Sequence, residues 1–352
     1  KELFPDKPVI ALTATADRLT RDDIAGQLRL RNPLKFIGSF DRPNISLRVM
    51  PNPGKAGRVA AIERLIDRYR DDSGIVYCLS RNGAEAMTAE LRSRGYRAVC
   101  YHAGMSSAER ARSQQAFISG DASVVCATVA FGMGIDKSNI RWVVHNNLSP
   151  NIEAYYQEVG RAGRDGLPAE ALMFYSLSDL HTLRAFADES GRQLVNREKL
   201  DRMLSYVQSP VCRRRTLLSY FSEIYDHDCG NCDICNNPPR RFDGTIAAQK
   251  AISAVIRCGE RVGAYMLADI LVGASRNDIR AAGYDKIKTF GAGRDVPLKK
   301  WNDYISQMIQ YGIFEIAYDE GNHLKVTPYG REVLSGRAPI SLADVAPEPR
   351  KA

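Results

Sequence analysis

The stretch from Val124 to Gly166 constrains this chain more than any other, because it dictates strand, turn, strand and helix in immediate succession. Val124-Val125-Cys126-Ala127 is a short continuous apolar run and reads as a buried strand. A glycine-broken turn, Thr128 to Asp136, leads into a second apolar strand, Trp142-Val143-Val144-His145. Ser149-Pro150 supplies a cap and a first-turn proline, so a helix is expected from there, carrying Gln157, Arg161 and Arg164. Arginines three apart share one helical face. Gly160 and Gly163 leave the backbone beside them open to close approach. Planar guanidiniums on a rigid mount suit the charge that develops on a transferring phosphoryl group.

Spacing alone leaves a solvated basic patch open for that pair; the longer wording decides. QEVGRAGRDG resembles motif VI of the superfamily 2 helicases, and ATVAFGMGIDKSNIRWVVH resembles their motif V, with the RecQ family of DNA helicases most similar. The resemblance implies that Arg161 and Arg164 meet the γ-phosphate of ATP. It also implies that Gln157 contacts the nucleotide or relays its state, and that Gly134 and Asp136 line the cleft. ALTATAD, residues 11–17, resembles motif III, at the end of a first RecA-like lobe, and Phe40-Asp41-Arg42-Pro43-Asn44 matches the crossing into the second.

The rest of ATP chemistry is missing from the sequence. A G-x-x-x-x-G-K-[ST] loop is needed to hold the β- and γ-phosphates, and a carboxylate pair to hold Mg²⁺. Gly54-Lys55 continues into Ala56 without the earlier glycine. Asp319-Glu320-Gly321-Asn322-His323 places its histidine one residue late for a D-E-x-H box, and its flanks read as a β-hairpin. The chain is therefore expected to be a helicase lacking most of its first lobe, inactive on ATP by itself.

From about residue 45 to 178 strands alternate with helices, the pattern of a parallel doubly wound sheet. Ligands of such sheets gather beyond the carboxyl ends of the strands. Ser80, Arg81, His102, Gly104, Met105 and Thr128 fall there, and the resemblance makes those loops the track for single-stranded DNA. From the sequence, His102 reads equally as a satisfied loop histidine. Val9-Ile10-Ala11-Leu12 is expected to be a buried strand and Thr20 to Leu28 a helix.

The 352 residues hold eight cysteines, four of them clustered as C-x16-C-x2-C-x2-C at Cys212, Cys229, Cys232 and Cys235. Four thiolates at this spacing suit a tetrahedral Zn²⁺ with no open position, so the metal is structural. The spacing is also that of the RecQ zinc-binding module. Cys78, Cys100 and Cys126 sit singly in apolar runs and read as small core hydrophobes. Arg213, in the triplet Arg213-Arg214-Arg215, is open to two readings, a solvated face or a contact to DNA phosphate.

After Pro238-Pro239, helices at 247–258, 265–271 and 299–311 precede the hairpin 313–327, the order of a winged helix. The resemblance puts Asn322 and His323 of the wing near the parting bases. A net charge of +8 suits a nucleic-acid partner, and no apolar run approaches a membrane span.

The expected architecture is α/β. A first-lobe remnant (1–40) is followed by a second RecA-like lobe (41–178), a zinc module (179–240), a winged helix (241–335) and a linker or tail (336–352). The expected ligands are Zn²⁺, single-stranded and duplex DNA, and ATP with Mg²⁺ held chiefly by the absent lobe. A single-stranded-DNA-binding protein is a further expected partner of a monomeric, cytoplasmic, nucleoid-associated bacterial protein. The competing expectation is a non-enzymatic DNA-binding protein in which the zinc module and winged helix act alone.

Overall fold

A computed structural model describes residues 7–13, 18–30, 32–128, 131–132, 136–189, 193–317 and 320–344. A lone helix α1 (Arg18–Gln27) precedes the α/β lobe. In the lobe, β1 (Ile45–Pro51), α2 (Gly54–Arg68), β2 (Ser73–Tyr77), α3 (Arg81–Ser93), β3 (Ala98–Tyr101) and α4 (Ser107–Ser119) come first. β4 (Val124–Ala127), β5 (Ile140–His145), α5 (Ile152–Val159) and β6 (Ala169–Tyr175) complete it. The six strands run parallel in the order β1-β6-β5-β2-β4-β3.

Both faces of this sheet are covered, which is why its strands are apolar throughout rather than alternating. On one face Val76, Cys78, Val124, Cys126 and Trp142 pack under Val59, Ile62 and Leu65 of α2 and Met87 and Leu91 of α3. Burial pushes the Cys78 thiol up to about 12, as expected of a core cysteine. The ring of Trp142 lies across Gly74 so closely that a Cβ there would fall 1.9 Å from it. On the opposite face Ile75, Val125, Val143 and Met173 meet Phe117 and Tyr155, together with helices from the next module.

That module contains the helical hairpin α6 (Leu177–Glu189) and α7 (Gln193–Gln208), then α8 (Arg213–Tyr220) and the short α9 (Asp233–Asn236). Leu200, Met203, Tyr206 and Leu217 join the core under the sheet. The loop at Asn231 and Cys232 lies along β1: Ser46 Oγ donates to Asn231 O (2.9 Å), and Leu47 and Cys232 form a parallel bridge.

A separate core follows around Trp301, Leu267, Leu271, Val255 and Phe314. It is built by β7 (Arg241–Asp243), α10 (Thr245–Arg257), α11 (Ala264–Val272), α12 (Asn277–Ala281) and α13 (Leu298–Gln310). The antiparallel wing β8 (Phe314–Ala317) and β9 (His323–Val326), then α14 (Pro328–Leu334) and β10 (Ser341–Ala343), complete it.

Two expectations are corrected here. Val9, Ile10 and Leu12 are 40%, 82% and 86% exposed and form no strand, because no other described strand stands beside them. Residues 336–344 are not a tail: Ser341–Ala343 pairs antiparallel with Arg241–Asp243 and buries Leu342. The end of the motif III segment, Ala14 to Asp17, lies outside the described residues.

Candidate functional site

The helix carrying Gln157 is shorter than its sequence suggests. Asn151, not Ser149, caps it by accepting the Ala154 N–H (2.7 Å), and Gly160 ends it. Gln157 is exposed on α5, whereas Arg161 and Arg164 belong to the tight turns that follow rather than to a helical face. What makes the mount rigid is a set of side chains from the Phe40–Asn44 segment. Arg42 donates to the carbonyls of Gly160 (3.1 Å), Ala162 (2.9 Å) and Gly163 (2.9 Å). Asn44 donates to Gly163 (2.8 Å) and Leu167 (2.9 Å). Arg141 holds Asp165 in the same turn. Arg42 and Asn44 were not among the residues expected at the site, although the DRPN wording was the signal for them.

This mount brings both arginines onto the loop after β4. Arg161 Nη1 donates to Gly132 O, and its guanidinium lies flat over that glycine. Gly132 has φ +128°, and a Cβ on it would sit 2.1 Å from Arg161 Cζ. Only glycine fits there. Arg164 Nη1 reaches Asp136 Oδ1 at 3.1 Å, and that carboxylate is almost fully exposed. Gly134 lies outside the described residues.

At the carboxyl ends of β2, β3 and β4 the expected loop residues gather, and Ser80 and His102 have side-chain partners within the protein. Ser80 caps α3 through the Gly83 N–H (3.1 Å), and Arg81 is the first residue of that helix. His102 is buried; its Nε2 lies 2.9 Å from Glu85 Oε1, and its Nδ1 accepts the Gly104 N–H (3.2 Å). Its imidazole, buried with both nitrogens engaged, therefore shapes the Gly104-Met105 turn, which favours its reading as a satisfied loop histidine. Gly104 lies against Arg81, with room for no side chain larger than its own hydrogen without displacement (3.1 Å to Arg81 Cδ). Met105 is half-buried, and Thr128 donates its N–H to Tyr101 O (3.2 Å).

The four clustered cysteines converge, with all four Sγ atoms within 4.8 Å of one another. Cys229 and Cys235 are 3.9 Å apart and Cys232 and Cys235 3.4 Å. Tetrahedral Zn–S bonds of about 2.3 Å require sulfurs about 3.8 Å apart, so the set fits. Backbone N–H groups of Cys229 (3.3 Å), Asn231 (3.4 Å) and Cys235 (3.4 Å) point at the sulfurs of Cys212, Cys229 and Cys232 and favour thiolates. Hydrogen bonds among these sulfurs hold the Cys212 thiol below its ordinary range and push those of Cys229 and Cys232 above it. The site holds a structural Zn²⁺.

Arg213 is corrected. It is 4% exposed, forked onto Asp233 (Nε to Oδ1 3.0 Å, Nη2 to Oδ2 3.1 Å), and it also donates to the Val207 carbonyl (3.2 Å). Arg214 and Arg215 are buried as well, so the basic run is an internal brace rather than a DNA-facing surface. In the wing, Asn322 adopts φ +62° and donates to Glu198 Oε1 of α7 (3.1 Å), while His323 is half-buried opposite Ala317.

Three family descriptions match the chain: helicase conserved C-terminal domain at residues 57–166, RecQ zinc-binding at 177–236 and RQC domain at 238–351. An ATP-dependent DNA helicase RecQ of Pasteurella multocida is 41% identical over 347 residues, covering 97% of this chain and 54% of that protein. Its Haemophilus influenzae namesake is 41% identical (97% and 56%) and the Bacillus subtilis one 34% identical (96% and 57%). The chain spans a little over half the length of these relatives. Its parallel sheet, four-thiolate centre and wing follow one another as those three matches do, and the chain belongs to the RecQ family.

Proposed function

We propose that this chain is the second-lobe, zinc and winged-helix part of an ATP-dependent 3′-to-5′ DNA helicase serving repair, recombination and replication. The observation that carries the reading is the mount described above: Arg161 and Arg164, fixed by Arg42 and Asn44, on the loop that carries Asp136. In the working enzyme these guanidiniums stabilise the γ-phosphoryl charge of ATP gripped by a first lobe, and Gln157 reads the nucleotide. Closure on ATP and reopening after hydrolysis would move single-stranded DNA across Ser80, Arg81, Gly104, Met105 and Thr128. Asn322 and His323 would act at the strand junction, with Asn322 exchanging Glu198 for DNA.

The domain division at about residues 40, 178 and 240, a monomeric state and a cytoplasmic, nucleoid-associated location belong to the same proposal. So does partnership with a single-stranded-DNA-binding protein. Among the described residues no helix is long and apolar enough to cross a membrane.

The test is ATP turnover and DNA binding by this purified chain, with and without single-stranded DNA. The expected result is DNA binding that weakens steeply with salt, without DNA-stimulated hydrolysis. Joined to a first lobe, the protein should turn over ATP, and Arg161→Ala or Arg164→Ala should lower kcat by about 10³-fold. Full turnover in both variants would overturn the phosphate-facing assignment. Turnover absent even with a first lobe would favour a DNA-binding protein without enzymatic activity.

A further inference from the structure

The three consecutive arginines that follow Cys212 reach three different parts of the molecule. Arg213 holds Asp233, inside the zinc knuckle. Arg214 holds the lobe: its Nη2 donates to Ile45 O (2.7 Å), and Nη1 lies 3.2 Å from Asp41 Oδ1. Arg215 holds the winged helix: its guanidinium stacks 4.6 Å from the ring centre of Tyr311, at the end of α13. Its Nη1 lies 3.9 Å from Asp228 Oδ1, and the other oxygen of Asp228 accepts from Arg241 of β7 (2.8 Å).

Arg215 is also tied to the metal site through its main chain, in the first turn of the helix that starts at Cys212. The carboxylates that hold these side chains depend on the same centre, since Asp228 directly precedes Cys229 and Asp233 directly follows Cys232. Four guanidiniums (Arg213, Arg214, Arg215, Arg241) face three carboxylates (Asp233, Asp41, Asp228). Among the described residues Nε and Nη2 of Arg215 have no hydrogen-bond partner. A buried cation so poorly matched is costly unless another negative charge lies near. A zinc ion bound by four thiolates carries a net double negative charge, and it sits at the start of the helix bearing the triplet.

We propose that Arg215 is a positioning residue that couples zinc occupancy to the seating of the winged helix, its helix starting at Cys212 and its guanidinium reaching Tyr311 and Asp228. Without metal the knuckle opens, Asp228 leaves, and Arg215 and Arg241 face each other without counter-charge beside Tyr311. The winged helix then detaches from its platform while the sheet stays folded. The coupling rests on zinc at the four cysteines.

The test is hydrogen–deuterium exchange on the whole chain, with zinc measured by elemental analysis, before and after extraction with a high-affinity zinc chelator. Chelation should raise exchange across residues 298–317 by at least about tenfold, while β2 and β5 stay protected. Arg215→Met should raise it similarly with zinc content unchanged, and chelation of that variant should add little. Arg215→Lys, which keeps the charge but not the planar stack, should recover part of the protection. Should Arg215→Met fail to fold, Asp228→Asn, nearly identical in shape, takes its place with the same expectation. Loss of protection confined to residues 212–236 on chelation would overturn the coupling, as would a zinc-loaded Arg215→Met that exchanges like the parent. A parent chain purified without zinc would instead overturn the metal assignment, and the coupling with it.

Discussion

Gly132 and Arg161 behave as one unit although 29 positions separate them. The glycine contributes a left-handed backbone and an empty Cβ position, and the guanidinium fills that space. Gly132→Ala should therefore displace Arg161 and, in a protein joined to its first lobe, cost kcat nearly as much as Arg161→Ala. Steady-state turnover of the two variants side by side checks this; an active Gly132→Ala would dissociate loop from arginine. A second residue-scale consequence concerns acid. The Arg141 guanidinium, helped by the Leu167 N–H, holds the Asp165 carboxyl below the ordinary carboxylate range. A depressed carboxylate stabilises the fold above its unfolded value and loses that contribution as pH falls through the lower, folded value. Asp165→Asn should thus lower stability by a constant amount above that window, remove the fall within it and leave stability below it unchanged, as urea midpoints across pH would show.

At the scale of elements, what could be read in the sequence was whatever is decided locally. Val124–Ala127 is the strand that its apolar run implies, and the wing has the strands its flanks imply. The four cysteines meet as their spacing requires. The helix bearing Gln157 shows where local reading stops. Ser149-Pro150 promised its start, yet Asn151 took the cap and Gly160 ended it, because carbonyl contacts to Arg42, encoded 118 residues earlier, favour turns over a further helical turn. The arginine triplet was illegible for the same reason. Whether three arginines face water or carboxylates depends on Asp41, which lies 173 positions upstream of Arg214. Arg213→Ala should accordingly act on stability, costing about 3–5 kcal/mol as expected when one partner of a buried pair is removed. It should leave the salt dependence of DNA binding unchanged. A reduced salt slope without lost stability would return Arg213 to the DNA-facing surface.

For the molecule as a whole, the modules are not beads on a string. The helices of the zinc module complete the core beneath the sheet, with Tyr206 and Leu217 in the same cluster as Ile45 and Val143. Cys229→Ser should therefore lower zinc below stoichiometry by elemental analysis and also lower the unfolding midpoint of the α/β lobe; full zinc would refute the four-thiolate set. The bridge between Leu47 and Cys232 has one more consequence. β1 is the outermost strand of a six-stranded sheet, and the metal-folded loop lies along its open side. Unpaired backbone along such a strand is a template for a neighbouring chain. Zinc, by folding that loop, should therefore also keep this edge covered. Protein stripped of metal should self-associate as concentration rises, visible in light scattering before the sheet unfolds, and restored zinc should reverse it while the oligomers are small.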